Sequence, residues 1–166
     1  SPEFGEQFKI NPDQMGRILN GYLGKKNEYK AAYNKAAGEK FLAENLAKGE
    51  VDTTATGLQY IIHEEGEGAK VQPTDTVWVY YSGKTIDGNE FDGNMGAEEP
   101  TRFVANRVIK GWTEGLGLLG DGGKATFYIP SDLAYGERGN RGIEPNSVLI
   151  FDVEVVRVGR VVSDEK

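Results

Sequence analysis

Few side chains in this sequence are equipped for covalent or acid–base chemistry. It has no cysteine and a single histidine, His63. Disulfides, thiol catalysis, zinc–thiolate sites and an imidazole cluster for a metal are therefore excluded together, and no cofactor is expected. What remains is a carboxylate directly behind an aromatic, Phe91-Asp92, a tyrosine ahead of a glycine, Tyr135-Gly136, and large aromatics at Trp112, Phe127 and Phe151. On residue type alone each has a plain structural reading. Trp112, Phe127 and Phe151 suit a core, Asp92 a solvated turn, Tyr135 a loop anchor and His63 an exposed strand position. Whatever chemistry the chain performs is done without metals or thiols.

The elements that must position these residues fall into two textures. From Asn11 to about Lys48 the pattern is helical. Asn11 can cap, Pro12 fits the first helical position, and Met15, Ile18, Leu19, Tyr22 and Leu23 recur at spacings of three and four. Gly24 is expected to break or bend this run. A second, longer helix then carries Tyr29, Ala32, Tyr33, Ala36, Phe41, Leu42 and Leu46 as its apolar stripe. Such a stripe suits packing against the body of the chain or association with a partner.

Beyond Gly49 the chain changes to short β-branched or aromatic stretches punctuated by glycine, with strands expected over residues 58–63, 76–82, 101–105, 124–129 and 147–158. Asp87-Gly88 reads as a hairpin turn. In the fourth stretch Ala125, Phe127 and Ile129 alternate with Thr126 and Tyr128, giving one face suited to a core. The apolar residues Val108, Ile109, Trp112 and Leu116 fit a short helix with one buried side. A helix across an antiparallel sheet makes the class α+β. Residues 130–146 show no periodicity, and loops of that length in compact domains are often functional.

With 166 residues, one main domain plus an appendage is expected. The 19 basic residues are scattered among 26 acidic ones, so no phosphate-tracking face is visible and nucleic acid is excluded as a partner class. No apolar run approaches the roughly 20 residues a membrane-spanning helix needs. Ser1-Pro2-Glu3-Phe4 reads as a cloning remnant, which would put the native start, with any signal peptide or lipid anchor, outside the sequence. The divisions expected are remnant 1–4, helical arm 5–50, main domain 51–160 and tail 161–166.

Five strings resemble the FK506-binding protein family in order and spacing. They are Val79-Tyr80-Tyr81-Ser82-Gly83, Asp87-Gly88-Asn89-Glu90-Phe91-Asp92, Val108-Ile109-Lys110-Gly111-Trp112-Thr113-Glu114-Gly115, the run from Phe127 through Tyr135-Gly136 to Gly139, and Pro145-Asn146-Ser147-Val148-Leu149-Ile150-Phe151-Asp152-Val153-Glu154. The helical front, with Asn34-Lys35-Ala36-Ala37-Gly38-Glu39-Lys40-Phe41, is similar to the bacterial branch that includes the macrophage infectivity potentiator proteins.

The resemblance implies a twisted antiparallel sheet wrapped around a short helix, with an aromatic pocket between them and a helical arm in front. It implies a peptidyl-prolyl cis/trans isomerase acting on proline-containing polypeptides, macrolides such as FK506 or rapamycin as inhibitors, and a homodimer through the arm. It places Trp112 on the pocket floor and Tyr81, Phe91, Val108, Ile109, Tyr135 and Phe151 on the walls. Asp92 becomes the pocket carboxylate that orients Tyr81, Tyr135 the holder of the substrate carbonyl, and Ile143 part of an overhanging loop. The compartment it suggests is periplasmic or outer-membrane-associated, with the cytoplasm as the alternative. Two departures stand out. Thr101 occupies a position where some relatives place an aromatic, which would open that wall. Gly142-Ile143-Glu144-Pro145 puts a carboxylate in the overhanging loop, which would disfavour acidic residues beside a client proline.

Overall fold

The computed structural model describes residues 12–160; the expected Asn11 cap and the tail 161–166 lie outside them. Helix α1 runs unbroken over Pro12–Ala47, 36 residues or about 54 Å of rise. The expected break at Gly24 is not there. An interior glycine costs a helix only about 1 kcal/mol relative to alanine, which Lys25, Lys26 and Glu28 around it do not compound. Two expected helices are therefore one.

The sheet contains β1 (Asp52–Thr53), β2 (Gln59–Glu64), β3 (Thr76–Thr85), β4 (Glu90–Gly93), β5 (Thr101–Val104), β6 (Lys124–Ile129) and β7 (Leu149–Gly159), all paired antiparallel. Its order is β1-β2-β6-β7-β3-β4, with β5 also on β3. The ten-residue β3 is thus shared along one edge, its first half pairing β5 and its second half β4, while β7 covers the other edge throughout. Strand β4, which holds Phe91 and Asp92, was not among the expected strands. It is four residues long and mostly exposed, too short for alternation to show. The turn at Asp87-Gly88 is where the sequence puts it, with Gly88 at φ 89° and its N–H bonded to the Thr85 carbonyl. Bulges between Trp78 and Val79, and between Gly83 and Lys84, interrupt the register and add twist.

Helix α2 (Lys110–Leu116) packs against this sheet through the core cluster. Glycines let it come close. A Cβ on Gly111 would stand 2.5 Å from the Ile129 side chain and one on Gly115 2.6 Å from the Phe127 ring, so the backbone of α2 rests directly on these two side chains of β6. Phe127, Ile129, Leu149, Val77, Val79, Val155, Leu58, Leu116 and Leu119 are fully buried around that contact. The expected assignment of Phe127 to the core agrees. His63 is exposed on β2, as expected, where its Nε2 meets the Thr126 hydroxyl at 2.8 Å.

The two halves of α1 behave differently. Its C-terminal half is fixed to the domain: Phe41 packs beside Tyr128, buried Asn45 donates to Gln59 at 2.8 Å, and Gln59 Nε2 donates to the Leu42 carbonyl at 2.9 Å. Gly38 passes so close to Val148 that a Cβ would stand 2.8 Å from its Cγ2. In the N-terminal half Met15, Ile18, Leu19, Tyr22 and Leu23 are about half exposed or more, and Tyr29, with Tyr33 one turn beyond, is more exposed still. Packing against the body of the chain therefore accounts for only part of the stripe.

Candidate active site

Strand alternation decides which side chains meet α2. On β3, Val77, Val79, Tyr81 and Gly83 turn inward, and Trp78 and Tyr80 turn to the opposite face. Tyr81 thereby meets Trp112 in the first turn of α2, with ring centroids 5.2 Å apart at 85°. Phe151 of β7 approaches the same indole at 5.3 Å and 89°, and Phe103 of β5 at 5.5 Å and 71°. Three rings thus stand nearly perpendicular around one indole, the edge-to-face arrangement that aromatic quadrupoles favour.

Above Trp112 is a recess of about 220 Å³ lined by Tyr81, Asp92, Phe103, Arg107, Val108, Ile109, Trp112, Tyr135 and Phe151. Seven of the nine residues singled out in the sequence converge here. The other two do not line it. Phe91 packs edge-on against Phe151, 5.5 Å away, and opens onto the neighbouring groove beside α1. Ile143 is buried in the core cluster and is not among the residues lining the recess.

Phe103 and Arg107 were missed. A signal for Phe103 existed: Thr101, Phe103 and Ala105 share one face of the expected strand 101–105, and from that face the recess takes Phe103, not Thr101. Thr101 instead accepts a hydrogen bond from Asn94 Nδ2 at 2.8 Å. Asn94 is itself a positioning residue that the sequence did not disclose. Its Nδ2 also donates to the Val79 carbonyl at 2.9 Å and its Oδ1 accepts from the Tyr81 N–H at 2.7 Å, pinning the β4–β5 turn to β3 at Tyr81.

The polar groups of the recess are few. Tyr81 donates its hydroxyl to Asp92 Oδ2 at 3.0 Å, while Asp92 Oδ1 accepts from the Gly93 N–H at 2.8 Å. Tyr135 has φ −102° and ψ 0°, the sparsely populated bridge region common among active-site residues. Among the described residues its hydroxyl has no hydrogen-bond partner. Trp112 Nε1 is buried without one, enclosed by rings that offer no acceptor. The recess is apolar at its base and polar at its rim, and groups of this kind can grip an uncharged ring and hold a carbonyl beside it.

Burial, followed by the hydrogen bond to Asp92 and the Asp92 charge, pushes the Tyr81 phenol up to about 12. A raised acid favours the folded state while it is protonated. This contribution is complete below the ordinary phenol value near 10 and is lost as pH rises from about 10 through about 12. Absorbance titration of the native chain is expected to show one tyrosine ionising late. Asp92→Asn should move that transition back towards 10, because it removes the carboxylate charge; an unmoved transition would show that Asp92 does not govern Tyr81.

Residues 67–156 match the family described as FKBP-type peptidyl-prolyl cis-trans isomerase, and residues 3–62 match the domain amino-terminal to it. The chain belongs to the FKBP-type peptidyl-prolyl cis-trans isomerase family. Among family members, the probable isomerase FkpA of Neisseria meningitidis serogroup B is 44% identical over 163 residues, covering 93% of this chain and 60% of the relative. The outer membrane protein MIP of Legionella longbeachae is 39% identical over 162 residues, covering 93% and 70%. The crystal structure of FkpA from Escherichia coli matches with a TM-score of 0.80 at 38% identity, over 95% of this chain and 77% of that one. This chain spans about six-tenths of the length of the FkpA relatives. Both the α+β fold and the family resemblance agree with these matches. No helix among the described residues is long and apolar enough to cross a membrane.

Proposed function

We propose that this chain catalyses cis/trans isomerisation of peptidyl-prolyl bonds in polypeptide clients, through a domain over residues 51–160 with the recess above Trp112 as its site. The observation that carries this reading is the conjunction of an aromatic floor with one free rim hydroxyl, that of Tyr135. Rotation about a prolyl amide faces a barrier of about 20 kcal/mol because resonance gives the C–N bond double-bond character, and it takes tens of seconds or longer unaided. No covalent bond has to form. A catalyst must favour the twisted amide, in which resonance is lost, the carbonyl is less dipolar and the prolyl nitrogen is pyramidal.

Trp112, Tyr81, Phe103 and Phe151 grip the proline ring and exclude water, which disfavours the more polar planar amide. The Tyr135 hydroxyl donates to a carbonyl of the bound peptide. Asp92 fixes Tyr81, and no general base is required because no proton is transferred. A thousandfold acceleration needs only about 4 kcal/mol of preferential stabilisation. Tyr135→Phe removes the hydroxyl and little else. Followed on an Ala-Leu-Pro-Phe peptide, it is expected to lower kcat/KM about fivefold to tenfold, the worth of one neutral hydrogen bond. An unchanged kcat/KM would remove Tyr135 from the mechanism.

A second role is favoured by one specific observation, the exposed aromatic and aliphatic stripe of α1. In this reading residues 5–50 form an arm that pairs two copies and holds unfolded clients, and a chain lacking that arm keeps its peptide activity but no longer suppresses aggregation. Macrolide inhibition through the recess and a periplasmic or outer-membrane-associated location belong to the same proposal.

A further inference from the structure

Helix α1 is fastened to the loop that bears Tyr135 by a set of polar contacts that the recess does not need for its own closure. Asn34 Nδ2 donates to the Pro145 carbonyl and to Glu144 Oε2, both at 3.0 Å, and Lys30 Nζ lies 3.7 Å from Glu144 Oε1. The carboxylate expected to face clients is thus turned towards the arm. One residue further, Asn146 Nδ2 donates to the Ala31 carbonyl at 3.0 Å. That carbonyl lies well inside α1, so the bond is not the capping of a frayed helix end.

The backbone on the loop side completes the path. Asn146 N–H donates to the Gly136 carbonyl at 2.9 Å, and Gly136 directly follows Tyr135, whose own carbonyl accepts from the Gly139 N–H at 3.2 Å. Asn146 also has φ 58°, the only positive φ outside glycine among the described residues. Asparagine tolerates this left-handed conformation better than most side chains. It is a costly place for a residue that only spans a turn, and a suitable one for a residue whose N–H must reach Gly136 while its amide reaches α1.

We propose that Asn34 and Asn146 are positioning residues for Tyr135, so that the seating of α1 on the loop sets where the Tyr135 hydroxyl stands over the recess and thereby tunes the isomerase site. The inference rests on the role given to Tyr135 above, and its test separates the two. Asn34→Asp keeps the shape of the side chain, removes both donated bonds and sets a carboxylate against Glu144. It is expected to lower kcat/KM for the Ala-Leu-Pro-Phe peptide about threefold to tenfold, mainly through kcat. Adding Glu144→Gln restores a donor across the contact and should recover most of the loss.

In a Tyr135→Phe background the Asn34→Asp loss should shrink to nothing, since the clasp acts through the hydroxyl that is gone. Additive losses, or no loss in Asn34→Asp alone, overturn the proposal. The position of the ring is read independently of catalysis from the Tyr135 ring resonances of the full chain. These should shift in Asn34→Asp and return with Glu144→Gln. Unchanged resonances overturn the clasp even if the wild type proves inactive, whereas an inactive wild type with shifting resonances removes the isomerase reading and leaves the mechanical coupling standing.

Discussion

Trp112→Ala is expected to lower the stability of the domain by about 3–5 kcal/mol, the range for truncating a buried tryptophan. The residue is 3% exposed and is the common neighbour of Tyr81, Phe103 and Phe151. Removing it empties the contact between α2 and β3, and with it the floor on which a proline ring would rest. Small domains hold only about 5–15 kcal/mol in total, so the variant should unfold at a much lower urea concentration and lose peptide activity under conditions where it is still folded. Trp112→Phe should be milder, because it removes the unpaired Nε1–H along with part of the volume. A Trp112→Ala chain with wild-type stability would mean that the indole is not the keystone of the helix–sheet contact.

The second large effect comes from the smallest residue. Gly83 faces Phe151 across the β3–β7 ladder and Asp92 across the β3–β4 ladder. A Cβ there would stand 2.4 Å from Phe151 Cε1 and 2.9 Å from Phe91 Cζ, so the Phe151 ring has to retreat by about 1 Å to reach ordinary contact. Gly83→Ala is therefore expected to cost about 1–3 kcal/mol by overpacking. It should lower kcat/KM about tenfold or more, since an ångström of misplacement at a site can cost a factor of a hundred. The two readouts check each other: a folded Gly83→Ala chain with full activity would show that the Phe151 wall does not contribute to the reaction.

Much of this was legible in the sequence. Alternation in Ala125, Phe127 and Ile129 placed β6 and its inward face, and the apolar positions 109, 112 and 116 gave α2, because both patterns are imposed by burial on one side. Failures came where that imposition is weak. Strand β4 is short and mostly solvated, so Asp92 reads as a turn residue and the place of Phe91 and Asp92 on a strand is not visible. The continuity of α1 through Gly24 escaped because glycine lowers helix stability without forbidding it, and nothing packs within 4 Å of that position to betray the path of the chain.

At the site, the ordered motifs carried Tyr81, Trp112, Tyr135 and Phe151 into one recess. Phe103 lies in none of the five strings, so only the strand period, which puts it on the same face as Thr101, marks it. Asn94, whose amide bonds the Tyr81 N–H, the Val79 carbonyl and the Thr101 hydroxyl, left no trace in hydropathy, since its work is done by an amide that could equally belong to a turn. The contacts of Asn34 and Asn146 join residues more than a hundred positions apart, and no local pattern encodes them.

The chain has two tryptophans, and they provide the most direct measurement. Trp112 floors the recess, whereas Trp78 lies on the opposite face of β3 under Arg157, whose guanidinium carbon is 3.7 Å from the indole centre. An Ala-Leu-Pro-Phe peptide titrated into the nitrogen-15-labelled chain, with cis/trans exchange of the peptide followed in the same NMR tube, reads site and activity together. Accelerated exchange, with the Trp112 Nε1–H resonance moving on binding and the Trp78 resonance still, is the result predicted. Exchange at the uncatalysed rate, or movement of Trp78 while Trp112 stays fixed, would contradict the assignment of isomerase activity to this recess.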